Sequence, residues 1–381
     1  MINLNKTKDV QQRKALNLWA SNKYCGSIIA GTGFGKSRCG VTACNHTLSN
    51  NNNAKALIIV PTTQLQEQFK EEFIKWGYED CLDRVEILCY QSSYKLQDQF
   101  YDIVVCDEIH LGLSVEYRKF FKNNTYDKLL CMTATPPEEP EYKLLLEEIA
   151  PTVYTITLDE CVTLGLVSPY EIYCMPLDLT VEERVAYKNI NNKFVYYKYQ
   201  LGTFNAFDEA KRLISDKNAD SHSKGMAAQF YRCIRARKAI VDFAENKITE
   251  FKKLVYQNLD KKILAFGGAN EFTDRLCDSI DPLGMAYHSK KTKKHKENSL
   301  KYFRNDTINV LCSTKALNQG LDVPNANMGI ICGITSKSLS MIQRVGRLIR
   351  LKEGKVGKIY ILYVRDSQEE KWLTKAVKNL D

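Results

Sequence analysis

The sequence has no C-x-x-C pair, although it carries 13 cysteines. The nearest two are Cys39 and Cys44 and the rest are scattered along the chain, so a metal-stapled fold is not expected. Cys89, Cys106, Cys131 and Cys332 sit inside apolar runs, where a free thiol behaves as a small hydrophobe. No apolar run is long enough to span a bilayer. Met1–Ala20 is polar and helix-like, with no apolar signal-peptide region, so the expected compartment is cytoplasmic, away from membranes. There is no repeat at solenoid spacing. A hydrophobic share of 44% and a charged share of 26% place the chain among ordinary globular proteins and exclude disorder. Its 381 residues have room for two or three domains. A net charge of +9 suits a polyanionic partner without identifying one.

What is present is a recurrent short apolar run followed by a helix-like stretch. The first half has Ser27–Ala30, Ala56–Val60, Val85–Cys89, Asp102–Cys106 and Lys128–Met132. The second half has Lys262–Phe266, Met285–His288, Asn309–Cys312, Met328–Cys332 and Lys358–Val364. Continuous apolar strands alternating with helices predict parallel sheets covered on both faces. The pattern occurs twice and predicts two α/β domains, 1–165 and 166–381. A segment at about 179–256 differs: it is charged, tyrosine-rich (Tyr187, Tyr196, Tyr197, Tyr199) and reads as a helical insertion.

The first run leads into Ala30-Gly-Thr-Gly-Phe-Gly-Lys-Ser37, the spacing of a phosphate-binding loop. Gly31, Thr32, Gly33 and Gly35 let backbone N–H groups close around phosphate oxygens at the start of a helix. Lys36 is placed to reach the β- and γ-phosphates of ATP, and Ser37 to ligate Mg²⁺. The run Asp102–Cys106 leads to Asp107-Glu108-Ile109-His110. Here Asp107 is expected to hold Mg²⁺ through water, and Glu108 to orient and deprotonate the attacking water.

With these in place the chain resembles the superfamily 2 helicases. The phosphate loop, Ile59–Leu65, Asp107–His110 and Thr133-Ala-Thr-Pro136 are similar, in order, to that family's motifs I, Ia, II and III. Ser313–Pro324 resembles motif V, and Gln343-Arg-Val-Gly-Arg-Leu-Ile-Arg350 resembles motif VI. The second half and Leu88-Cys-Tyr-Gln-Ser92 are most similar to the XPB/UvsW type of DNA helicase. The resemblance implies two tandem RecA-like domains using ATP and Mg²⁺, with the remaining site residues filling the family's roles. Gln12 reads adenine, and Gly320 and Asp322 lie at the nucleotide. Thr133, Thr135 and His110 couple the nucleotide site to domain movement. Pro61, Thr62, Gln91 and Thr314 hold nucleic acid. Gln343, Arg347 and Arg350 face the γ-phosphate from the second domain. Physics alone also gives the arginines a task, because a guanidinium stabilises charge spread over phosphoryl oxygens.

The implied partner is DNA, single-stranded, forked or branched, with an RNA helicase as the alternative. The implied state is a monomer with room for a protein partner, and the implied direction of travel is 3′ to 5′. A motor subunit of a restriction or remodelling complex carries the same motifs, as does an ATP-switched clamp. An intact Glu108 and Arg347 argue against the clamp. Two basic stretches stay open. The lysine-rich Ser289–Lys296 is either a solvated loop or a phosphate contact. The tyrosine-rich insertion is either a helical unit packed by its own aromatics or a DNA grip.

Overall fold

The computed structural model describes residues 4–31, 33–134, 136–137, 139–166, 169–202, 204–314, 326–334 and 356–377. The strands are β1 (Cys25–Ala30), β2 (Ala56–Val60), β3 (Val85–Cys89), β4 (Phe100–Tyr101), β5 (Ile103–Asp107), β6 (Thr125–Tyr126), β7 (Leu129–Thr133) and β8 (Thr152–Ile156), then β9 (Tyr170–Leu177), β10 (Ile263–Phe266), β11 (Gly284–Tyr287), β12 (Val310–Ser313), β13 (Met328–Ile331) and β14 (Gly357–Val364). Two six-stranded sheets result, ordered β3-β2-β5-β7-β1-β8 and β11-β12-β10-β13-β14-β9. Their ladders are all parallel. The central strands β2, β5 and β7 of the first sheet, and β12, β10 and β13 of the second, bury every residue, which is why they read as apolar runs. The fold is the expected α/β pair of parallel sheets.

Four strands escape the apolar-run criterion: β4 and β6, which form a short two-stranded sheet, and β8 and β9, which are edges of the large sheets. β9 buries none of its residues fully and alternates along its length, as an edge half open to water does. It pairs with β14 over its whole length, from Tyr170 opposite Gly357 to Leu177 opposite Val364, and Tyr173 stacks on Tyr360 at 4.9 Å. β8, Thr-Val-Tyr-Thr-Ile, closes the other sheet beside β1. The run expected at Asp102–Cys106 is shifted by one residue, so that Asp107 is the last residue of β5.

Strand order sets the site. β7 lies between β5 and β1, with Thr133 level with Ile29 and Met132 level with Asp107. The carboxyl ends of β1, β7 and β5 therefore stand in a row, at the edge where parallel sheets bind ligands.

The insertion is helical, over Val181–Gln200, Ala206–Ser215 and Ser221–Asp242. Its first helix opens with a capping box, Thr180 and Glu183 each bonding the other's backbone N–H. That helix buries no residue fully. The unit instead has a small core of its own, Leu201, Ala210, Leu213, Ala227 and Phe230, with Phe194 stacked on Phe230 at 5.4 Å. The next helix, Glu245–Tyr256, packs on the second sheet through Ile248, Phe251, Leu254 and Val255.

Lys247, on that helix, is fully buried and pairs with an equally buried Glu369 at 2.7 Å. Its Nζ also donates to the Cys332 carbonyl at 2.8 Å, while the Val364 N–H donates to Glu369 Oε2 at 3.0 Å. The pair ties the ends of β13 and β14 and the helix Gln368–Val377 to one another.

Candidate active site

β1 buries all but its first residue and delivers the chain to the glycine-rich turn before the helix Lys36–Asn50. Gly33 and Gly35 have φ of 95° and 92°, the left-handed region that glycine enters without strain. Space is the second reason for glycine: a Cβ on Gly35 would lie 2.3 Å from Gln12 Nε2. Gln12 is buried and donates to the Phe34 carbonyl at 2.7 Å, while its Oε1 accepts from Arg38 at 3.0 Å. Arg38 in turn pairs with Asp9 and lies 3.8 Å over the Trp76 ring. The structure thus gives Gln12 a backbone partner in the turn itself. Asp9, Arg38 and Trp76 were not singled out from sequence. The available signal was the three-residue spacing of Asp9 and Gln12, which puts both on one helix face.

Lys36 Nζ donates to the Ala30 carbonyl at 3.0 Å, so the ammonium lies back over the turn it is meant to serve. Gly31 donates its N–H to Ile156 of β8 at 3.4 Å, and Ser37 is half-buried at the helix start.

The acidic pair meets this turn from β5. Asp107 is buried. Glu108 has φ 52° and ψ 53°, a left-handed conformation for a residue with a side chain. Such backbones cost about 1–3 kcal/mol and persist where the surroundings hold them, often at functional sites. Thr133 Oγ1 donates to Glu108 Oε2 at 3.0 Å. His110 Nδ1 lies 3.1 Å from Thr133 Oγ1 and 3.4 Å from Glu108 Oε2. Burial, and then the neighbouring Glu108, push the Asp107 carboxyl up to about 7, against the opposing pull of Lys36. A buried carboxylate beside a half-buried one is a donor set that a divalent cation fits. Among the described residues no group of three or more His, Cys, Asp or Glu could hold a metal ion. A cation bound with a nucleotide needs only one or two protein carboxylates.

The expected nucleic-acid residues fall at two edges. β2 and β3 run level, Val60 opposite Cys89, and bring Pro61 and Thr62 beside the turn of Gln91. Pro61 is buried, and Thr62 caps the helix Thr63–Lys75 by accepting from the Leu65 N–H at 3.4 Å. Gln91 is exposed. At the end of β12, Thr314 is buried and donates to Asn270 Oδ1 at 3.3 Å. Thr32, Thr135, Gly320, Asp322, Gln343, Arg347 and Arg350 lie outside the described residues. In the lysine-rich stretch, Lys291 pairs with Asp274 at 2.9 Å and Thr292 caps the helix Lys293–Arg304. The insertion divides its aromatics: Phe194, Tyr197 and Phe230 pack, while Tyr196, Tyr199 and Phe204 are exposed. No helix of the described residues is long and apolar enough to cross a membrane.

Comparison with known proteins agrees with this geometry. Residues 9–101 match the DEAD/DEAH box helicase family, and residues 246–352 match the helicase conserved C-terminal domain. The DNA 3'-5' translocase XPB2 of Sulfurisphaera tokodaii is 23% identical over 90% of this chain and 78% of its own length. The pre-mRNA-splicing ATP-dependent RNA helicase PRP28 of Saccharomyces cerevisiae is 21% identical over 86% of this chain, which spans 52% of that relative. Among solved structures, the Hef helicase domain of Pyrococcus furiosus superposes with a TM-score of 0.61 at 14% identity, over 95% of this chain and 97% of that one.

Proposed function

Because this chain belongs to the superfamily 2 helicases, ATP-hydrolysing enzymes, we propose that it is a DNA helicase or translocase that moves 3′ to 5′. One observation carries the hydrolytic half of this reading: the carboxyl ends of β1, β7 and β5 assemble Lys36, Asp107, Glu108, Thr133 and His110 at a single edge. The choice of DNA is supported by the XPB2 relative, which matches a larger share of both chains than PRP28 does.

In this reading Lys36 leaves the Ala30 carbonyl for the β- and γ-phosphates, exchanging a neutral acceptor for a charged one. Asp107 and Ser37 hold Mg²⁺, which when bound neutralises phosphate charge and polarises the reacting phosphoryl group. Glu108 aligns the attacking water and takes its proton. The Thr133 hydroxyl, which donates to Glu108, fixes the carboxylate's direction. His110 touches both and passes the state of the site to β7. Gln343, Arg347 and Arg350 complete the site from the second domain, 166–381, so that ATP draws the two domains together. Pro61, Thr62, Gln91 and Thr314 then hold the DNA backbone as a monomer steps along it.

The test is ATP turnover measured side by side with single-stranded DNA, forked DNA, duplex DNA and RNA. The expected outcome is stimulation by single-stranded or forked DNA, with displacement only of strands preceded by a 3′ tail. Stronger stimulation by RNA replaces the substrate with RNA. Turnover indifferent to every nucleic acid removes the motor.

A further inference from the structure

We infer that Tyr90 is a positioning residue for hydrolysis, which holds Glu108 in its strained conformation and links it to the nucleic-acid-facing turn at Gln91. The inference rests on the proposed roles of Glu108 and Gln91 and goes beyond them. Tyr90 opens the short helical turn Tyr90–Ser93 directly after β3. Its side chain points inward and is almost completely buried, whereas the next two residues, Gln91 and Ser92, are exposed. One turn thus has a foot in the core and a face to solvent.

The foot reaches the catalytic peptide. Tyr90 donates its hydroxyl to the Asp107 carbonyl at 2.9 Å. That oxygen belongs to the peptide joining Asp107 to Glu108, the plane whose orientation sets where Glu108 begins. A hydrogen bond there fixes the peptide from which Glu108 departs at φ 52°. A left-handed non-glycine residue needs such outside restraint, since its own backbone preference opposes it. Thr133 restrains the Glu108 side chain, and Tyr90 restrains its backbone.

The surroundings are shaped for the ring. Tyr90 stacks on Tyr117 at 5.8 Å with planes 23° apart. A Cβ on Gly112 would lie 2.8 Å from Tyr90 Cε1, so the absence of a side chain there is what admits the ring. Burial, ahead of the nearby Cys106 and Cys131 thiols, holds the phenol well above its ordinary range, so it stays a hydrogen-bond donor at neutral pH. A nucleic-acid strand that moves the Gln91 turn moves this donor, and with it the Asp107–Glu108 peptide.

Tyr90→Phe removes only the hydroxyl, and Gly112→Ala crowds the ring while keeping it. Both are compared with wild type and Glu108→Gln, using single-stranded DNA as activator and a fluorescent ATP analogue to measure nucleotide binding. The expected result is a kcat at saturating DNA lowered ~10- to 100-fold in both variants, the scale of a catalytic group misplaced by a fraction of an ångström to an ångström. Nucleotide affinity and the DNA concentration for half-stimulation should stay within about twofold of wild type. Wild-type kcat in a folded Tyr90→Phe overturns the inference. A parallel loss of kcat, nucleotide affinity and thermal stability overturns it too, by making Tyr90 merely structural. A wild type that DNA does not stimulate, or a Glu108→Gln that hydrolyses normally, would instead defeat the functional reading beneath it.

Discussion

The molecule buries two carboxylate-bearing clusters, one in each sheet, and treats them oppositely. Glu369 meets an ammonium at 2.7 Å and a backbone N–H at 3.0 Å. Burial still lifts its carboxyl above the ordinary range, with Lys247 pulling it back. Asp107 has a second carboxylate as its neighbour, and among the described residues it is opposed by Lys36, which is bonded to a carbonyl of the phosphate turn, and by a backbone hydrogen bond from Glu108. The first cluster is complete and joins three elements. Among the described residues the second brings two acids together beside a strained backbone. A buried charge that is satisfied is read as structure, and one that is left wanting is read as a site.

The sharpest way to break the comparison is to remove charge from the acidic cluster. Glu108→Gln should retain nucleotide binding and lose hydrolysis by ~10²- to 10⁴-fold, because an amide cannot accept the proton of water. Single-turnover hydrolysis alongside nucleotide titration measures both quantities. Turnover within a few-fold of wild type would return Glu108 to an ordinary surface acid. Lys36→Ala should instead weaken nucleotide binding itself, by removing the cation that faces the phosphates.

Next in size is the structural pair. Lys247→Met leaves Glu369 buried and unpaired and should destabilise the fold by ~3–5 kcal/mol. The double replacement Lys247→Met with Glu369→Leu should recover most of that loss, since apolar groups of similar volume often replace a buried pair at little cost. Urea unfolding of the three proteins decides it. A single variant as stable as wild type would mean that the pair is not what holds the helix Gln368–Val377 to the sheet.

The same contrast explains how much the sequence discloses. The apolar runs announced ten of the strands, most plainly the central ones that are buried throughout, but β8 and β9 are edges whose partly exposed residues look like loop sequence. The phosphate turn and Asp107–His110 were legible because their chemistry needs particular residues at particular spacing. Tyr90 and Lys247 were not, since each acts on a carbonyl remote in the chain: Tyr90 on Asp107, and Lys247 on Cys332. A hydrogen bond to a carbonyl leaves no mark on the acceptor's residue type. The sequence proposes a nucleotide role for Gln12 and leaves its bonds to Phe34 and Arg38 unannounced, for the same reason.

The smallest expected effect is on the stability of the metal-free protein, and its sign separates the two clusters again. Asp107 has its carboxyl raised to about 7 from an ordinary 3.8, first by burial and then by Glu108. A raised carboxyl keeps its proton in the folded state where the unfolded chain has lost it. Its contribution to stability is therefore complete below pH ~4 and is lost as pH rises through ~7. Glu108→Gln removes one source of that shift, so less stability should be lost on the way up. At pH 8, with a chelator present, the variant should be more stable than wild type by up to about 1 kcal/mol, a surplus typical of relieving a functional site. At pH 5 Asp107 is protonated, the two carboxyls do not repel as charges, and the advantage should vanish. Glu369→Gln should show no such gain at either pH, because its charge is the partner of Lys247 and not its competitor. Denaturant midpoints at pH 5 and pH 8 provide the comparison. If Glu108→Gln is no more stable than wild type at pH 8, the acidic pair is not held together against its own repulsion, and the contrast between a satisfied and an unsatisfied cluster loses its energetic basis.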